Sequence, residues 1–195
     1  MKATSLAEPT RRRAILLALV CASAMFAHAT DNSKVSGQQY VRDLAEETLQ
    51  RLYKAHPAAR ARVQNAAGYA VFNNTGVKIL VAGSGTGKGI AINSRTKKET
   101  FMKMVEVQAG LGLGVKKFSI IFVFDNEKVL SDFVNSGWEL GGQANASAKT
   151  STKGGDLSGA ASVSDGIWMY QMTDKGLSAE ITAKGTKYYK DSSLN

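Results

Sequence analysis

The stretch VAGSGTGKGIAI, residues 81–92, decides how the chain folds. It places Gly83, Gly85, Gly87 and Gly89 at every second position and follows Gly87 with Lys88. A Walker A phosphate loop needs Gly, four residues, then Gly-Lys-Ser/Thr. Here the residue five before Gly87 is Ala82 and the residue after Lys88 is Gly89, so both ends fail. A dinucleotide fingerprint needs G-x-G-x-x-G opening a helix. Counted from Gly83 the sixth position is Lys88, counted from Gly85 it is Ile90, and Ile90-Ala91-Ile92 continues as a strand pattern. Strand side chains alternate between two faces, so the four glycines share one face. A face without Cβ atoms lets a backbone or a large side chain come close and lets the strand bend sharply. Gly110, Gly112 and Gly114 in QAGLGLG repeat the device. These glycines therefore shape a tightly coiled sheet or a small barrel.

The flanking sequence fits that reading. From Gly68 onward the apolar period is two: YAVF (69–72), VKILVA (77–82), TFMKMV (100–105), VQAGLGLG (107–114) and FSIIFVF (118–124) read as strands, with Asn73-Asn74-Thr75-Gly76 as a turn. IWMYQM (167–172), LSAEITA (177–183) and TKYY (186–189) close the series, and residues 143–165 read as thin strands or a loop. Asp125 is placed to cap one internal helix, 126–136, whose buried face is Val129, Leu130, Phe133 and Val134 and whose end is Gly137. Ahead of the strands, Val41, Leu44, Ala45, Thr48, Leu49, Leu52 and Tyr53 form one stripe of an amphipathic helix ending near Ala55. Residues 58–67 form a second short helix stopped by Gly68. The expected fold is α+β: a curved, mostly antiparallel sheet or barrel-like core, with amphipathic helices at the N-terminal side and one internal helix.

The first 29 residues have the layout of a secretory signal peptide. Arg11, Arg12 and Arg13 precede an apolar run from Ala14 to Ala27, and Ala27-His28-Ala29 supplies a small-x-small cleavage site. The run is short for a bilayer-spanning helix, which needs roughly 20 residues. Thr10-Arg11-Arg12 resembles a twin-arginine start except at Ala14. Cys21 is a candidate lipidation site, although Ala18-Leu19-Val20 before it departs from a lipobox. The expectation is an exported protein, periplasmic or peripherally attached to the cell envelope, with lipid anchoring through Cys21 as a variant. Residues 30–37 are polar and read as a flexible tether, and residues 38–195 as a single domain.

Removing residues 1–29 takes away four of 25 Lys and Arg and one of 16 Asp and Glu, leaving 166 residues with a net charge of +6. A basic balance favours anionic partners and does not choose between membrane and nucleic acid. Nucleic acid is not expected, because no recognition motif accompanies the charge. Cys21 is the only cysteine, so the remaining chain has no thiolate chemistry, disulfide or cysteine metal site. His56 stands before Pro57 at a helix end, a structural position. The carboxylates Asp125, Asp132, Glu139, Asp156, Asp165, Asp174 and Glu180 show no acid/base or metal-ligand spacing, and no G-x-S-x-G elbow is present. No catalytic residue, metal site or cofactor is expected.

Taken in order, several elements resemble the SYLF family of lipid-binding proteins. They are Ala67-Gly68-Tyr69-Ala70-Val71-Phe72 after a helix and a His-Pro break, the Gly-x-Gly-x-Gly-Lys-Gly strand 83–89, Gln108-Ala109-Gly110-Leu111-Gly112-Leu113-Gly114, the apolar strand 118–124 with its following helix, Gly141-Gly142-Gln143-Ala144, and Lys175-Gly176-Leu177 with Glu180 and Gly185. The resemblance covers about residues 40–190. It departs at Phe72-Asn73, where relatives often have Phe-Pro, and at Lys97-Lys98-Glu99-Thr100-Phe101, where relatives have a tryptophan-centred motif.

The resemblance implies a non-enzymatic domain that binds phospholipid membranes, without an SH3 domain and without carrying over actin binding. An exported bacterial-type member would meet anionic phospholipid. The basic clusters that would serve are Arg95, Lys97 and Lys98; Lys116 and Lys117; Lys184, Lys187 and Lys190; and Arg60 with Arg62 beside the helix break. Each Lys or Arg near an anionic bilayer is worth about 1 kcal/mol, so an apolar contribution is also needed. The 41–53 helix face, an exposed Phe101, or a lipid on Cys21 would supply it. The alternative is a carrier that holds a lipid or small hydrophobe inside the barrel.

Overall fold

The computed structural model describes residues 8–79, 82–109, 114–140, 159–173, 176–177 and 185–195. The elements in chain order are α1 (Glu8–Ala55), α2 (Ala58–Asn65), β1 (Gly68–Ile79), β2 (Ala82–Asn93), β3 (Glu99–Ala109), β4 (Gly114–Phe124), α3 (Glu127–Ser136), β5 (Trp138–Leu140), β6 (Ala161–Ser164), β7 (Ile167–Thr173), β8 (Gly176–Leu177) and β9 (Thr186–Lys190). The chain divides into two compact units, Met1–Gln39 and Tyr40–Asn195. Residues 30–37, expected as a tether, are helical within α1. LSAEITA (177–183) lies mostly outside the described residues, as does the segment 143–158.

Within the second unit the strands form one antiparallel, barrel-like sheet in the order β5-β9-β3-β2-β1-β4-β7-β6, with β8 beside β7. The α+β expectation holds. The turn expected at residues 73–76 does not exist: β1 runs unbroken through Asn73 and Asn74 and pairs along its whole length with β2 and β4. Asn and Asp are poor strand formers because their side chains compete for backbone groups. Here both asparagine side chains are engaged by other elements. Asn73 accepts hydrogen bonds from Thr48 and Ser119, and Asn74 donates to Glu106. Gly68 likewise opens β1 rather than closing α2. A Cβ on it would lie 2.6 Å from both the Ile92 carbonyl oxygen and Leu130.

The two faces of the sheet carry separate cores. The inner face holds Phe72, Phe122, Phe124, Met102, Met104, Met169 and Tyr188, closed at one side by Leu130 and Phe133 of α3. Phe122 alone meets the rings of Phe72, Phe124, Phe133, Trp138 and Tyr188 at centroid distances of 5.0–6.5 Å. Rings at such spacings prefer edge-on or offset contact. The outer face, with Val71, Ile90, Phe101, Ile121 and Tyr170, packs against Val41, Ala45 and Leu52 of α1 and Ala59 and Val63 of α2. The buried positions of α1, spaced by three and four residues, are those the apolar stripe predicts. His56 packs edge-on to Tyr170 at 6.4 Å, a structural role as expected.

Gly85, Gly87 and Gly89 lie on the inner face of β2, opposite bulky neighbours. A Cβ on Gly87 would stand 2.6 Å from Met104, and one on Gly89 would enter the Phe72 ring. The missing side chains are thus the space into which Phe72 and Met104 fold. The same alternation puts Thr86, Lys88 and Ile90 on the outer face. The cap of α3 differs by one residue from expectation. Asn126 is the N-cap and accepts from the Val129 amide, while Asp125 instead accepts from the Trp168 indole N–H at 2.9 Å. Gly137, at φ +72°, ends the helix as predicted.

Candidate functional site

Cross-strand register aligns one row of residues on the outer face. Tyr189 of β9 pairs with Lys103 of β3, Lys103 with Lys88 of β2, Lys88 with Asn73 of β1, Asn73 with Ser119 of β4, and Ser119 with Met172 of β7. Along α1, Tyr40, Leu44, Glu47, Thr48 and Arg51 recur at helical spacing and stand over this row. Between helix and row lies a cleft of about 760 Å³. Asn73 ties its two walls together. Its side-chain oxygen accepts from Thr48 Oγ1 on the helix at 2.9 Å and from Ser119 Oγ on the sheet at 2.6 Å, and its amide reaches the Leu44 carbonyl at 3.5 Å.

The cleft is cationic and partly apolar. Arg51, Lys88, Lys103 and Lys117 line it beside Leu44, Val105 and Met172, with Glu47 as the acidic lining residue. Arg51 donates to the Thr173 carbonyl at 3.0 Å. Lys103 pairs with Asp191 at 2.8 Å. Burial on its own would raise the Asp191 carboxyl, but hydrogen bonds from Lys103 and Ser193 outweigh it and hold the group below its ordinary value. A lowered folded pKa means that this stabilisation is complete above the unfolded pKa of about 3.9 and disappears as pH falls through the folded value. The chain should therefore be more stable than its Asp191→Asn variant at pH 7. The gap between the two urea midpoints should narrow as pH falls below the ordinary carboxylate range, and a gap that stayed constant with pH would refute the pairing. Lys88 lies 5.8 Å from the Tyr40 ring and makes no ion pair among the described residues, nor does exposed Lys117.

The residues expected from sequence to bind lipid do not form one site. Arg60 stacks on Tyr53 at 4.4 Å and Arg62 on Trp168 at 3.8 Å, so both guanidinium groups sit over rings. Arg95 pairs with Glu127 at 2.6 Å. Lys97 and Lys98 are exposed in the β2–β3 connection, where Asn93 accepts from the amides of Arg95 and Thr96 and Lys97 adopts φ +59°. That connection begins at Asn93, seven residues along β2 from the row that holds Lys117, on the order of 23 Å away. Phe101 corrects the expectation of an exposed aromatic: it is 4% exposed, packed in the outer-face core under α1, with Arg42 5.2 Å above its ring. Lys117 alone of the expected set lines the cleft. The side chains of Lys116 and Cys21, and Lys184 entirely, fall outside the described residues, while Lys187 stands 3.9 Å from Glu139 and Lys190 donates to Asn135.

Sequence reading missed Arg51, Lys88 and Lys103. Strand alternation places Lys88 opposite the glycine face, which was a usable signal. The register that sets Lys103 beside it was not available from either strand alone. Among the described residues there is no cluster of acidic or histidine side chains able to hold a metal ion, and no helix long and apolar enough to cross a membrane.

Residues 105–195 match the family described as Ysc84, Las17-binding protein actin regulator. Over that stretch the chain is similar to that family, in keeping with the SYLF resemblance read from the sequence. It is also similar to Beta cell expansion factor A of Aeromonas veronii, with 29% identity over 154 residues, covering 79% of this chain and 57% of that protein. The SYLF match takes in the end of β3, all of β4 through β9 and Lys117. Arg51, Lys88 and Lys103 precede it, so the cleft is built from both the matched and the preceding sequence.

Proposed function

We propose that this SYLF-like protein is a non-enzymatic module that attaches to phospholipid membranes and prefers anionic bilayers. The observation that carries the reading is the set of exposed lysines, Lys88, Lys97, Lys98 and Lys117, which have no carboxylate partner among the described residues, on a domain whose outer face also opens an amphipathic cleft. Three or four such lysines near an anionic surface contribute roughly 3–4 kcal/mol, modest by itself, which is why apolar contacts from the cleft matter. We place the protein in the cell envelope after removal of residues 1–29, or held there through Cys21. Actin is not proposed as a partner. The alternative of a lipid held inside the barrel finds little room among the described residues, because phenylalanine, methionine and tyrosine side chains fill the inner face.

Liposome flotation of the full chain tests this. It should float with vesicles rich in phosphatidylglycerol or cardiolipin, float less with phosphatidylcholine vesicles, and lose the difference as salt rises. Equal flotation with both vesicle types at low salt would refute an electrostatic preference.

A further inference from the structure

We propose that the cleft between α1 and the outer face of the sheet is a saturable site for one phosphate-bearing amphiphile. Its phosphate would be held between Lys88 and Lys103, and its chain laid along Leu44, Val105 and Met172. The proposal deepens the membrane reading and relies on it only for the class of amphiphile.

The charge pattern comes first. Lys88 and Lys103 are directly opposite on antiparallel strands and on the same face. Such residues have Cβ atoms about 5 Å apart, and like charges there oppose strand pairing. A carboxylate beside either lysine relieves the repulsion. Asp191 does so for Lys103, at 2.8 Å from its ammonium, and leaves two of that ammonium's three hydrogens for other acceptors. Among the described residues Lys88 has the face of Tyr40 and no carboxylate. An anion seated between the two ammonium groups would remove the repulsion and satisfy Lys88. Lys117 lies two residues from Ser119 on β4, one row further along the same face, and adds positive charge to the lining of the same cleft.

The surroundings then narrow the ligand. Thr48 and Ser119 both donate to the Asn73 side-chain oxygen, so the floor of the cleft makes no demand for a polyhydroxylated ligand. Leu44, Val105 and Met172 line the cleft with apolar surface that a free phosphate would leave in water. A volume of about 760 Å³ falls within the range of about 300–1,000 Å³ typical of small-molecule sites. A headgroup phosphate attached to an acyl chain satisfies both linings at once.

The test is calorimetric titration of the full chain at fixed ionic strength with three probes in turn. These are dihexanoyl phosphatidylglycerol below its micelle concentration, dihexanoyl phosphatidylcholine below its own, and inorganic phosphate. The expected result is one-site binding of the anionic lipid, at least about tenfold tighter than either other probe. Lys88→Glu and Lys88→Gln should weaken it by about tenfold or more without lowering the melting temperature, since position 88 is exposed and each change removes the like-charge pair with Lys103. Inorganic phosphate binding as tightly as the lipid would overturn the amphiphile assignment, and lipid binding indifferent to both Lys88 variants would overturn the location. Flotation run in parallel separates the two readings. Flotation on anionic vesicles without monomer binding sinks the cleft site alone, and monomer binding without flotation sinks the membrane reading alone.

Discussion

Gly89→Val is expected to leave the domain without a cooperative unfolding transition, and Gly89→Ala to cost at least about 3 kcal/mol. The new Cβ would enter the Phe72 ring and stand 2.5 Å from the Val71 carbonyl oxygen. The carbonyl cannot retreat, because β1 and β2 are hydrogen-bonded along twelve residues there. Phe72 cannot swing away either, since it is fully buried and its ring lies 4.7 Å from that of Tyr188 and 6.1 Å from that of Phe122. A loss of this size is a large part of the 5–15 kcal/mol that holds a typical domain together. Two controls locate the effect. Ser84→Val, on the exposed face of the same strand, should change stability by less than about 0.5 kcal/mol. Phe72→Leu combined with Gly89→Ala should be more stable than the sum of the two single losses implies, because the smaller side chain vacates the space the new methyl needs. Additive losses in urea denaturation would show that the glycine face does not exist to admit Phe72.

That close approach explains which parts of the fold were legible in the sequence. Alternation of glycine is a local signal, so the strand and its bare face followed from residues 81–92 alone. The apolar stripe of α1 and the face and C-terminal stop of α3 are local in the same sense. The turn wrongly placed at Asn73–Gly76 shows the limit. Asn-Asn-Thr-Gly has turn chemistry, and nothing within ten residues opposes it. What straightens it lies elsewhere: Thr48 and Ser119 engage Asn73, and Glu106 accepts from Asn74 at 2.7 Å. Polar partners from three other elements outweigh a propensity worth about 1 kcal/mol.

The candidate site was less legible for a related reason. Counting lysines found Lys97, Lys98 and Lys117 but could not tell that the first two stand about 23 Å along the sheet from the third. Lys88 reads in the sequence as the failed end of a phosphate loop, and alternation alone puts it opposite the glycines. Register turns it into the neighbour of Lys103, and register depends on both partner strands at once. Phe101 was misread because alternation assigns a face without saying which face a helix covers. The outer face of β3 lies beneath α1, so its aromatic residue is core.

Asn73→Leu is expected to destabilise the domain by about 2–4 kcal/mol and to loosen α1 from the sheet. The substitution keeps the volume but removes the acceptor shared by Thr48 and Ser119, which are 2% and 5% exposed. Two hydroxyls are then left buried without that partner, each at about 1–3 kcal/mol. The loss falls between helix and sheet rather than within either. Amide exchange in α1 between Tyr40 and Ala55 should therefore accelerate more than exchange in β1, β2 and β4. Asn73→Asp retains the acceptor oxygens and places a carboxylate beside Lys88, its cross-strand neighbour. It should recover much of the stability and hold α1 in place. It should also neutralise Lys88 and weaken binding of the anionic lipid probe, separating the structural role of position 73 from the electrostatic role of its neighbour. If Asn73→Leu melts within about 1 °C of the unaltered chain, the hydrogen-bonded hub does not hold the helix, and the cleft wall owes its position to Val41, Ala45 and Leu52 alone.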